Sequence, residues 1–162
     1  MQKRHFQGRT LRENESFTLM IEVNGPGGMY AELGRIFFTG DVPVELSDAY
    51  ELCREAQQVT LKLLKPGANP KDIWDANNEF LVKHGMLPET RLYAHGQGYD
   101  LVERPLVRND EPMTIEKDMN IVVHPTYIHA GYLNWLCDNY LIGGNGPGDR
   151  LHQFPEEVVE VG

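Results

Sequence analysis

A chain of 162 residues with 41% hydrophobic side chains is one domain's worth, spanning residues 1–162, and is long enough to bury a core. Its net charge of -9 is spread along the chain apart from Glu156, Glu157 and Glu160, which argues against nucleic acid and anionic membrane as partners, since both are held by clustered Lys and Arg. No apolar run reaches bilayer length, the opening Met1-Gln2-Lys3-Arg4-His5 lacks a signal peptide's apolar stretch, and Cys53 and Cys137 allow no disulfide framework, so a cytoplasmic protein is expected.

In chain order, residues 18–23 and 35–38 read as strands on either side of the turn cluster Asn24-Gly25-Pro26-Gly27-Gly28. Ser47 is placed to cap a helix with Asp48 and Glu51 in its first turn. Leu52, Ala56, Val59 and Leu63 then recur at helical spacing until Pro66-Gly67. A second helix is capped by Asn69, starts on Pro70, shows one face of Ile73, Ala76, Phe80, Leu81 and His84, and ends at Gly85. At that end His84 reads as a partner of the helix dipole rather than a catalyst. From Arg91 onward the pattern is strand and turn, with apolar runs at 101–102, 119–124 and 133–142. The glycine-rich loop 143–148 is followed by no helix pattern and so is no phosphate cradle. Strands, two helices and strands again make an α+β domain.

Five stretches place side chains with metal-ligand chemistry in or beside these apolar runs: Ile21-Glu22-Val23, Ala31-Glu32 ahead of Arg35, Ala94-His95-Gly96-Gln97-Gly98, Val122-Val123-His124-Pro125, and Leu136-Cys137-Asp138. Residues so placed can converge from neighbouring strands onto one cavity. Structural roles are open to each of them as well. His95 can be a hydrogen-bonded strut, His124 can end a strand, and Cys137 can be a buried small hydrophobe. Glu22 and Glu32 are harder to explain that way, because carboxylates in strand-like apolar surroundings are seldom buried without a partner. No CxxC or HExxH motif is present.

The order and surroundings of these stretches resemble the pita-bread hydrolases, the superfamily of methionine aminopeptidase, aminopeptidase P, prolidase and creatinase, from about His5 to the C-terminus. In the peptidases of that family the ligands are the Asp of an Ile-Asp-Val-like strand, matched by Glu22, and the Asp of a Ser-Asp-x-x-Arg-Thr-Phe stretch, matched by Glu32. The His of a Gly-His-Gly-Ile-Gly-like segment is retained as His95. The Glu of a Met-Val-x-x-x-Glu-Pro-Gly turn is replaced by His124, and the Glu of an Ile-Glu-Asp strand by Cys137, with Asp138 following as the family's Asp does. A further family His ahead of a Glu-x-Pro acts on the peptide; Val102 stands there.

The resemblance implies a pita-bread fold and a hydrolase of the Xaa-Pro aminopeptidase or prolidase kind, with a small-molecule or peptide substrate. The family's four carboxylates and one His carry about four negative charges, suited to two hard dications. Glu22, Glu32, His95, His124 and Cys137 carry about two, or about three with Cys137 as thiolate, which balances one dication. Their softer donors favour zinc or another late first-row metal, with Cys137 or Asp138 completing the set. Creatinase offers a metal-free alternative in which His95 or His124 would do the acid–base work. The competing reading is a non-catalytic ligand-binding or interaction domain.

In the family, helices and strands of a pseudo-symmetric half precede the first ligand strand, whereas only a short segment precedes Glu22. The fold is therefore expected to lack that N-terminal part, to leave apolar surface bare, and to hide it by homo-oligomerisation. Tyr30, Phe37, Phe38, Trp74, Trp135 and Tyr140 are candidates for that surface.

Overall fold

The computed structural model describes residues 8–162; His5 and its neighbours at 1–7 lie outside the described residues. Alternating apolar side chains form a hairpin of β1 (Ser16–Asn24) and β2 (Tyr30–Thr39), longer than the two expected strands. Gly27 and Gly28 turn it at φ 87° and 83°, a region open to glycine at little cost.

Helix α1 (Val44–Leu63) begins ahead of the expected cap at Ser47. Pro43 occupies the N-cap in extended geometry without a side-chain cap bond, its carbonyl accepts from Ser47 N at 3.0 Å, and Glu45 supplies the acidic first-turn charge. Helix α2 (Pro70–Lys83) agrees with its sequence signals: the Asn69 side chain accepts from Lys71 N at 2.9 Å, Pro70 opens the helix, and Gly85 follows it at φ 76°. Its buried face is Pro70, Ile73, Asn77 and Leu81; Phe80 is only half-buried, beside the ring of His84. His84 sits at the C-cap with Nδ1 on Phe80 O at 2.9 Å, as a helix-end histidine should.

Short strands follow: β3 (Ala94–Gly96), β4 (Glu103–Leu106), β5 (Asn120–Val123), β6 (Thr126–His129), β7 (Tyr132–Trp135), β8 (Asp138–Ile142), β9 (Pro147–Arg150) and β10 (Val159–Val161). The run expected at 101–102 starts as β4 two residues later, and the run at 133–142 is divided at Leu136 and Cys137. That division has a cause. Cys137 leaves the β6–β7 hairpin to exchange two 3.1 Å backbone bonds with Gly34, which ties β2 to the start of β8.

Among the described residues the strands form three sheets, ordered β1-β2-β10, β4-β3-β5-β8-β9 and β6-β7. The helices cover one face of the five-stranded sheet, where Leu61, Leu64 and Ile73 meet Ile121, Val123, Tyr140 and Ile142. Residues of opposite parity point the other way, toward the β1–β2 hairpin, and these include His95, Val122 and Asn139, aligned across β3, β5 and β8. The candidate site lies in the space between this sheet face and the hairpin.

The hairpin's outer face is apolar. Leu19, Ile21 and Val23 are 45%, 43% and 53% exposed, and Leu19, Ile21, Leu33, Phe37 and Phe154 line a groove of about 90 Å³. Of the aromatics expected at a surface, Phe37 flanks this groove, whereas Phe38, Trp135 and Tyr140 are buried. Among the described residues, no helix is long and apolar enough to cross a membrane.

Candidate metal centre

Strand alternation delivers three candidate ligands to one point. Glu32 lies on the inner face of β2, His95 at the middle of β3, and His124 just past β5, where its N–H donates to Tyr93 O at 2.8 Å. One ligand atom from each lies within 4.8 Å of the others. Glu32 and His95 are each 2% exposed, while His124 is half-buried. The imidazole rings stand edge to face, 5.3 Å between centroids, with Trp135 6.5 Å from His124. Cys137 borders the group, its thiol donating to Glu32 Oε2 at 3.5 Å. Glu22 pairs with Glu32 in the hairpin register, which puts both carboxylates on one face, and its negative charge is felt at His95.

Neighbouring groups orient these side chains. His95 Nδ1 lies 2.8 Å from Gly96 O; donation there fixes the tautomer and leaves the Nε2 lone pair for a cation. Burial pushes the His95 pKa down, against the opposing pulls of the Gly96 carbonyl and Glu22, so the ring is held neutral, as a ligand must be. Burial and then Glu32 push the Cys137 thiol up. Without a cation beside it the group is therefore a thiol, and the set carries about two negative charges.

Asn139 and Gln97 belong to this environment although sequence reasoning gave them no role. Asn139 Oδ1 accepts from Glu32 N at 2.8 Å, and its Nδ2 donates to Gln97 Oε1 at 2.7 Å and Asn120 Oδ1 at 3.1 Å. The available signal was a polar residue in an otherwise apolar strand, for which burial demands partners.

Asp138 does not join the cluster. Cys137 and Asp138 are adjacent, so their side chains leave opposite faces of the strand and only one can face Glu32. Asp138 Oδ1 instead accepts from Arg35 Nη2 at 2.9 Å, with both residues buried, and Oδ2 lies 3.7 Å from Arg150 Nη1. Arg35 is held on every side: Nε donates to Pro155 O at 2.6 Å, Nη1 to Gly34 O at 2.6 Å and Cys137 O at 3.1 Å, and Nη2 also to Phe154 O at 3.2 Å. Arg35 and Asp138 thus lock the loop that presents Cys137. Gly34 is required at the same junction, because a Cβ there would meet the Trp135 ring at 2.0 Å.

Two imidazoles and a carboxylate, with a thiol at their edge, are donors of the kind that hold a divalent metal.

The model of metallopeptidase family M24 matches residues 2–152. A methionine aminopeptidase of Rickettsia prowazekii (strain Madrid E) is 26% identical over 108 residues, covering 64% of this chain and 41% of that protein. An X-Pro aminopeptidase from Thermotoga maritima MSB8 superposes with a TM-score of 0.86 at 18% identity, over 98% of this chain and 45% of that one. The dipeptidase PepE from Mycobacterium ulcerans gives 0.85 at 19% identity, over 96% and 42%. The crystal structure of methionine aminopeptidase from Rickettsia prowazekii gives 0.73 at 18% identity, over 88% and 66%. The chain therefore spans 41 to 45% of the length of the first three. At these identities the superpositions speak to fold, and the fold is the α+β pita bread that the sequence implied. With a family match over nearly its whole length, the chain belongs to metallopeptidase family M24.

Proposed function

We propose that this single domain, residues 1–162, is a remodelled hydrolase related to Xaa-Pro aminopeptidases and prolidases, built for one zinc-like dication and acting on the amide of a peptide or small molecule. The observation that carries the reading is the convergence of Glu32, His95 and His124 within 4.8 Å. A dication held there supplies Lewis-acid polarisation of a substrate carbonyl. The chain's own residues do the rest. Asn139 fixes the backbone of Glu32, the Gly96 carbonyl aims His95, and Cys137 stands at the edge of the set with its thiol donating to Glu32 Oε2. His124 is the more exposed imidazole, so substrate reaches the site from its side. Glu22, next to Glu32 in the register, is the remaining carboxylate for a ligand or for a substrate ammonium.

Peptide assays test this. With added manganese or cobalt, turnover of Gly-Pro and Met-Ala is expected to stay far below about 1 per second, the low end of ordinary enzymes. With zinc, slow hydrolysis of an activated amide is expected and should vanish in His95→Ala. Ordinary turnover with manganese that depends on His95 would restore the dinuclear peptidase and overturn the reading. A second reading, a non-catalytic ligand-binding domain, is favoured by Val102. At 48% exposed, it occupies the place of the family's substrate-facing His and can transfer no proton. Absence of zinc-dependent hydrolysis on every amide tried would select it.

The bare outer face of the hairpin supports the proposal of a homodimer. Leu19, Ile21 and Val23 form a contiguous apolar row, and identical chains most often cover such rows by closed twofold association. Light scattering at micromolar concentration should give twice the chain mass, and Ile21→Lys should halve it. A monomer across that range would reject the dimer.

A further inference from the structure

The Glu32 end of β2 has a side chain where a strand would otherwise lie. On the side of β2 away from β1, the described part of β10 pairs with Phe37, Phe38 and Thr39, and a single bridge to Cys137 follows at Gly34. Glu32 lies beyond both, and its N–H donates to Asn139 Oδ1 at 2.8 Å. A strand holds its carbonyls in a fixed row, whereas an amide side chain turns about χ1 and χ2 unless it is held. Whatever fixes the Asn139 amide therefore fixes the place of Glu32.

Asn139 is 0% exposed, and both ends of its amide are held. Nδ2 donates to Gln97 Oε1 at 2.7 Å and Asn120 Oδ1 at 3.1 Å. Gln97 and Asn120 turn their own NH2 groups to Leu101 O and Tyr30 O, which leaves their oxygens to Asn139. Oδ1 takes the Glu32 N–H and lies 3.3 Å from His152 Nε2. A backbone N–H can only donate, so the atom facing Glu32 is oxygen; His152 meets that same oxygen, so its Nε2 carries a proton and donates. This bond takes the second acceptor position of Oδ1 and completes the buried amide. The chain delivers His152 just past β9, where Leu151 N donates to Asn139 O at 3.0 Å, so consecutive residues grip the backbone and the side chain of Asn139. His152 is half-buried and lies outside the group of converging ligand atoms, so its influence on that group runs through Asn139.

We propose that His152 is a positioning residue of the metal centre, holding the Asn139 amide so that Glu32 stays in line with His95 and His124. This inference rests on the single-metal reading above. Zinc titration of the full chain tests it, comparing His152→Leu, His152→Gln and His95→Ala with the unchanged chain. His152→Leu removes the donor and keeps apolar bulk, while His152→Gln returns an N–H near the place of Nε2. His152→Leu is expected to weaken zinc about three- to tenfold, the effect of losing one hydrogen bond, and His152→Gln to restore most of that loss. A second readout needs no metal. Exchange of the Glu32 amide proton, followed by NMR on the metal-free chain, should be faster in His152→Leu and return toward the original rate in His152→Gln. A histidine that merely braces the segment after β9 would lower Tm in both variants and leave zinc affinity and the Glu32 proton alone. Zinc affinity unchanged in His152→Leu while His95→Ala still weakens binding would overturn the role of His152 and leave the metal reading standing. Glu32 exchange no faster in His152→Leu, or equal losses in the Leu and Gln variants, would do the same. No zinc binding by the unchanged chain would overturn the metal reading and the positioning role with it.

Discussion

Zinc should bind this chain at one equivalent, and His95→Ala should weaken it by more than about 100-fold, the upper end of what loss of a mere supporting partner costs at metal sites. The expectation rests on donor chemistry. Glu32, His95 and His124 already stand within 4.8 Å of one another, with the Cys137 thiol 3.5 Å from Glu32. His95 is held neutral by burial, so it binds a cation without first losing a proton. Cys137 is different, since burial and Glu32 keep it protonated. If it ligates, binding releases that proton and affinity rises with pH, and Cys137→Ser removes most of the pH dependence. At a free concentration of 100 times Kd, one zinc adds about 2.7 kcal/mol of stability, a rise of roughly 5–10 °C in Tm for a domain of this size. His124→Ala should reduce both affinity and thermal shift, and Glu22→Gln should do so less, because Glu22 lies outside the tightest group. Two equivalents of zinc, or affinity untouched by either histidine change, would sink the single-metal site.

The parts of this arrangement that the sequence exposes are those governed by local chemistry. Asn69-Pro70 and Gly85 bracket α2 because a cap, a preset φ and a left-handed residue act within one turn of the chain. The start of α1 was less legible, since Ser47 has good capping chemistry but Pro43, with none, begins the helix. Glu22, Glu32, His95 and His124 were found through the order of motifs along the chain; their separation in space is a product of strand pairing that periodicity alone cannot give. What stayed hidden depends on which way one residue faces. The choice between Cys137 and Asp138 turns on the two-residue bridge to Gly34, and Asn139 became part of the site through a bond to the backbone of Glu32, 107 residues away.

That choice yields the second large effect: Asp138→Ala should destabilise the fold by about 3–5 kcal/mol, the usual loss when one partner of a buried ion pair is removed, and change zinc affinity far less than His95→Ala does. Arg35 explains the size. Its guanidinium is 2% exposed and in the variant would keep the carbonyls of Gly34, Cys137, Phe154 and Pro155 but lose its carboxylate partner. The pair itself is worth much less than this loss. Burial raises the Asp138 carboxyl even with Arg35 and Arg150 pulling the other way, which shows desolvation opposing the attraction. The double variant Arg35→Met, Asp138→Leu should therefore recover a large share of the stability that Asp138→Ala loses, and a cycle in urea of the unchanged chain, Arg35→Met, Asp138→Leu and the double variant would measure the coupling. If Asp138 were a ligand, the pattern would reverse: stability of the metal-free chain would change little and zinc binding would collapse. Chemical denaturation and zinc titration of the same four proteins therefore decide whether Asp138 braces the site from behind or belongs to it.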